Sequence, residues 1–134
     1  MSRDEINGLG EQVIGALIEV HKHLGPGLLE SVCESVLARH LVRRGLQVER
    51  QVLVSFDYDG LRFEQALRID LLVERQVVVE VKSQERLAPV HARQVLTYLK
   101  LMNLPVGLLI NFGDATLKSG VKRIIHDCRP TVSL

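Results

Sequence analysis

The sequence predicts an α/β sandwich built on a mixed sheet. Three observations carry this. Apolar residues recur at helical spacing in the first third of the chain. The period changes to two from about position 51. A further helical segment then separates those strands from a nearly continuous apolar run at 106–112. Periodicity of 3.6 marks a helix and periodicity of two marks a half-buried strand. The predicted order is α-α-β-β-β-α-β-β, in a single domain over residues 1–134.

Val13, Leu17, Val20 and Leu24 form the first helical stripe, widened by Ile14 and Ile18. Ser2 and Glu5 have the spacing of a capping box. Gly25-Pro26-Gly27 ends this helix, because glycine and proline break the backbone pattern. A second helix is expected over 28–44, with Gly45 as its C-terminal cap and Arg43 and Arg44 favourable in its last turn.

Val52, Val54, Phe56 and Tyr58 then alternate with polar positions, and Asp59-Gly60 signals a turn. The next strand covers 61 or 62 to 73, and a third covers 77–82. Pro89 opens a third helix that reaches about 102 and packs through Val95, Leu96, Leu99 and Met102. The apolar run at 106–112 suits a strand covered on both faces. A last strand is expected at 121–125. The first three strands can form an antiparallel meander, and the helix after them can return the chain to a parallel neighbour.

Composition narrows the function. The chain has 134 residues, 46% of them apolar, enough for one sizeable core. Its formal net charge of +1 is not the footprint of a protein that coats nucleic acid non-specifically. Trp is absent and aromatics are few, so base stacking is not a main contact. No apolar run can span a membrane, and the polar N-terminus does not read as a secretory signal. A soluble cytoplasmic protein with no membrane partner is the expectation. Cys33 and Cys128 lack metal-ligand spacing and are expected to be reduced and packed.

Asp70, Glu80 and Lys82 lie inside the apolar stretch RIDLLVERQVVVEVKS. Charges in such a place cost free energy unless something compensates them. Alternation puts Ile69, Leu71 and Val73 on one side and Asp70 with Leu72 on the other. Matching the apolar sides requires Val73 to pair with Val77 across a three-residue link, which puts Asp70 and Glu80 on one face. A two-residue link would separate them. Two carboxylates suffice for Mg²⁺, which prefers oxygen ligands and keeps several waters. A bound divalent ion polarises a phosphoryl oxygen and activates water, and Lys82 beside it can orient that water. A solvated face on which Glu80 and Lys82 pair weakly fits the same spacing.

Asp70, then Glu80-Val81-Lys82 on the next strand, then a helix and a strand, resembles the PD-(D/E)xK nuclease superfamily. Gly27-Leu28-Leu29-Glu30-Ser31-Val32-Cys33 is similar to the motif of the small GxxExxY proteins. So are the segments IEVHKHLGPGLLES, RIDLLVE, PVHARQVLTYLK and GLLINF. The resemblance runs in order over nearly the whole chain. It implies a restriction-endonuclease-like core and a divalent-metal-dependent nuclease acting on DNA or RNA. Asp70, Glu80 and Glu30 would then bind Mg²⁺ or Mn²⁺ with the carbonyl of Val81, and Lys82 would be the catalytic lysine. For Glu30 alone, a favourable first-turn charge on the helix dipole is the plain alternative.

Gln94 and Tyr98 resemble the Q-x-x-x-Y element of RecB-like nucleases. With His91 they share a helix face and would position substrate. An ordinary polar helix face is the alternative for all three. One departure stands out, since Cys33 replaces the family tyrosine and a hydroxyl is lost with it. The superfamily also holds members that cut nothing. A catalytically silent module that binds nucleic acid or a protein is therefore the second expectation. A homodimer would let two sites address two strands.

Overall fold

In the computed structural model, which describes residues 1–114 and 117–127, Ser2 caps the first helix as its spacing to Glu5 predicts. Glu5 N–H donates to the Ser2 hydroxyl (3.1 Å). Helix α1 spans Arg3–Leu24 and buries Val13, Ala16, Leu17 and Val20. Leu24 and Ile18, placed on the apolar stripe by spacing, are about half exposed. Helix α2 is Glu30–Arg43, two residues shorter at its start than expected. Its early end fits the left-handed Gly45 (φ 84°), a conformation glycine adopts without steric penalty. Glu19 of α1 meets His40 of α2 and Arg44 just beyond its end.

Strand β1 (Val48–Tyr58) begins earlier than its alternation suggested. It pairs antiparallel with β2 (Leu61–Val73) through the turn at Asp59 and Gly60, both at positive φ. Strand β3 (Val77–Lys82) follows, and Val73 pairs with Val77 as the apolar register required. The link carries Glu74 and Arg75 at φ of 51° and 52°, and Gln76 N–H donates to the Val73 carbonyl (2.9 Å). Two positive-φ residues match the right-handed twist of the flanking strands.

Helix α3 (Pro89–Met102) returns the chain so that β4 (Val106–Asn111) lies parallel to β3. A single-turn helix, α4 (Leu117–Gly120), precedes β5 (Val121–Ile125), which pairs antiparallel with β4. Among the described residues, the short α4 is the element that the periodicity did not predict. The sheet order is β1-β2-β3-β4-β5.

Two cores flank the sheet. Helices α1 and α2 cover Leu71, Val73, Val77, Val79, Val81, Leu108 and Ile110 on one side. Helix α3 covers Leu72, Val78 and Leu109 on the other. Both faces of β3 and β4 are thus buried, which explains their unbroken apolar character. Ile69 corrects the expected alternation, since it joins the α3 core while Leu71 joins the other. The cause is a break in the β1–β2 ladder. Pairs flank Gln51 and Asp70 on both sides, but these two do not pair, and Gln51 has φ of 52°. Among the described residues no helix is long and apolar enough to cross a membrane. Cys33 is fully buried, and Cys128 lies outside the described residues.

Candidate active site

The broken ladder creates the site. The last β2–β3 pair on this side is Leu71 with Val79. Beyond it the side chains take over the backbone's bonds. Asp70 N–H donates to Glu80 Oε1 (3.0 Å), and Val81 N–H donates to Asp70 Oδ2 (2.9 Å). Each acid therefore grips the strand that carries the other, which sets Asp70 and Glu80 side by side. In a strand the N–H and carbonyl of one residue point to the same edge. The Val81 carbonyl thus faces the Asp70 side, where the ladder has ended.

Glu80 is only 4% exposed. Burial, and then the charge of Asp70, push its carboxyl from 4.5 up to about 8, against the opposing pull of an Asp70 backbone hydrogen bond and of Lys82. A buried acid held against a second carboxylate calls for a compensating cation. Two carboxylates and a carbonyl are hard oxygen donors, which suits Mg²⁺ or Mn²⁺ completed by water. The residues present therefore fit such an ion. Among the described residues no three or more His, Cys, Asp or Glu side chains converge at metal distance. The fit is to a two-carboxylate site.

Glu30 lines a cavity of about 260 Å³ that Asp70 shares, with Glu34, Gln51, Arg68 and Val81. It is aimed by the chain just after β3. Ser83 N–H donates to Glu30 Oε1 (3.1 Å), and the Ser83 hydroxyl donates to the Leu28 carbonyl (2.7 Å). These bonds pin the start of α2 to the end of β3. Lys82 extends from that same end, half-buried, and its charge acts on Glu80.

Helix α3 brings Tyr98 to the pair from the other side of the sheet. Burial raises its phenol first, then the charge of Glu80; Asp70 adds to this, while Gln94 and Arg68 oppose it. Gln94 Nε2 donates to the Tyr98 hydroxyl (2.8 Å). His91 Nδ1 accepts the Ala88 N–H (3.1 Å) and closes the exposed N-terminus of α3. Cys33 packs in the core between the helices and the sheet, and burial pushes its thiol up to about 11. It stays protonated at neutral pH and is a poor nucleophile or ligand.

Four further residues at the site were not read from the sequence. Glu34, 5% exposed, accepts from Arg50 Nη2 (2.9 Å) and Nε (3.2 Å) and from the amide of Gln51. Gln51 Nε2 also lies 3.5 Å from Asp70 Oδ1. Arg68 lines the cavity as an exposed cation. Glu34 had a usable signal, for it sits one turn beyond Glu30 on the same helix face. Arg68, two residues before Asp70, had one too. Gln51 and Arg50 had none, since their role depends on a strand register set 19 residues away.

Neither curated proteins nor solved structures gave a match to this chain. A family model did, over residues 7–124, a span that holds Asp70, Glu80 and Lys82 and runs from within α1 into β5. That match covers well over half of the chain, and the chain belongs to the PD-(D/E)XK nuclease superfamily.

Proposed function

We propose that the protein is a divalent-metal-dependent phosphodiesterase that hydrolyses DNA or RNA. The observation that carries this is the buried Glu80 held against Asp70 at the end of the β2–β3 ladder. Mg²⁺ or Mn²⁺ bound there would supply Lewis-acid polarisation of the phosphoryl oxygen and a water made acidic enough to attack.

The chain's own residues do the rest. Asp70, Glu80 and the Val81 carbonyl would hold the ion. Glu30 stands across the cavity, fixed by Ser83, where it can accept a hydrogen bond from an ion-bound water. Lys82 places a positive charge beside Glu80 and can orient the attacking water or meet developing negative charge. Arg68 offers the cavity a guanidinium suited to a phosphate oxygen. Tyr98 and Gln94 form a donor-acceptor pair on α3 that can contact the sugar or phosphate next to the scissile bond.

The test is hydrolysis of single- and double-stranded DNA and RNA with Mg²⁺ or Mn²⁺. Metal-dependent cleavage that is lost in Asp70→Ala and Lys82→Ala supports the proposal. Protein inert on all substrates, or cleavage that survives both substitutions, overturns it in favour of a silent binding module.

A further inference from the structure

We infer that Glu34, Arg50 and Gln51 form a positioning frame for Asp70, with Gln51 as the part that touches it. This rests on the metal-dependent reading of the site and adds residues to it.

The argument begins with the backbone. Gln51 has a positive φ (52°) in the middle of an edge strand, where no glycine relieves the crowding. A residue held in the left-handed region persists only when its surroundings over-determine it. Here they do so through the side chain. Its amide donates to Glu34 and lies 3.5 Å from Asp70 Oδ1. The twist also removes the Gln51–Asp70 pair from the ladder, which frees the Asp70 N–H for Glu80.

Glu34 is the anchor. Its carboxylate is almost fully buried and is gripped by Arg50 on one oxygen and Gln51 on the other. Arg50 is fixed in turn by the Ser35 hydroxyl, 2.8 Å from Nη2. The frame therefore runs from helix α2, across two side chains of β1, to Asp70 on β2. Asp70 is left with Oδ2 tied to the Val81 N–H and Oδ1 turned to the cavity under a loose amide contact. A fixed partner behind a ligand carboxylate sets its orientation, and losing such a partner typically weakens metal binding about 10–100-fold. A glycine at this position relaxes the backbone and removes the amide together. It separates a role in holding the fold from a role in holding Asp70.

The experiment uses the full chain and Mn²⁺ alone, by calorimetry, with melting temperature measured without metal. Gln51→Gly is expected to melt no lower than the parent yet bind Mn²⁺ about 10-fold or more weakly. Gln51→Met, which keeps the bulk without the amide, should weaken Mn²⁺ by the same factor. Equal Mn²⁺ affinity in the parent and both variants overturns the inference while leaving the metal site standing. A parent that takes up no Mn²⁺ overturns the metal reading itself, and this inference with it.

Discussion

At the scale of single residues, position in the strand decides what each charge can do. Lys82 ends β3 beside a buried acid, and its charge acts on Glu80. Lys82→Ala is expected to lower kcat about 10²–10⁴-fold with little change in KM, the range for losing one acid-base or charge-stabilising group. Steady-state cleavage of an oligonucleotide checks it. Asn111 is the structural counterpart. It is fully buried and joins the loop after β4 to the loop after β3, accepting from Gln84 N–H and Gly113 N–H and donating to the Gln84 carbonyl. Asn111→Ala strands these groups and is expected to destabilise the fold by about 2–4 kcal/mol in urea unfolding. Asp70, Glu80 and Lys82 were legible because a charge inside an apolar strand needs a reason. Glu34 and Gln51 were not, because a glutamate in a helix and a glutamine in a strand look solvated until register brings them together.

At the scale of elements, alternation and turn chemistry showed the meander, and the β2–β3 link followed from matching two apolar faces. The kinks at Gln51 and at Gln65 (φ 46°) escaped, since neither carries the glycine that usually marks a left-handed residue. Helix α3 adds a packing constraint that spacing also hides. A Cβ on Gly107 of β4 would lie 2.5 Å from Val95 Cγ1 and 3.4 Å from Leu99 Cδ1. Only glycine lets α3 approach this closely, and that approach carries Tyr98 and Gln94 to the acids. Gly107→Ala is expected to destabilise by about 1–3 kcal/mol, through overpacking that moves α3. Adding Val95→Ala removes the clashing methyl and should recover part of that loss. Urea unfolding of the two single variants and the double variant measures the coupling. Additive losses in the double variant would show that Gly107 and Val95 do not share the contact.

At the scale of the whole molecule, the site sets stability against charge. Glu80 holds its proton more tightly folded (about 8) than unfolded (4.5). Below about pH 4.5 both states are protonated and its contribution is fully present. As pH rises from there, the unfolded chain gives up the proton first, so the metal-free fold loses stability until the folded carboxyl ionises near pH 8. The slope from this one group is at most about 1.4 kcal/mol per pH unit. A divalent cation bound as proposed would act in the opposite sense, because it would bind the pair as carboxylates and only the folded state presents that pair. Melting curves are therefore expected to fall between pH 5 and 8 without metal. Millimolar Mn²⁺ should raise the melting temperature most at pH 8 and least at pH 5. Glu80→Gln keeps the size and removes the titration, so it should flatten the metal-free profile across that window and abolish the Mn²⁺ shift. A parent and Glu80→Gln pair with parallel pH profiles would mean that this carboxyl is not where the molecule's acid-dependent stability resides.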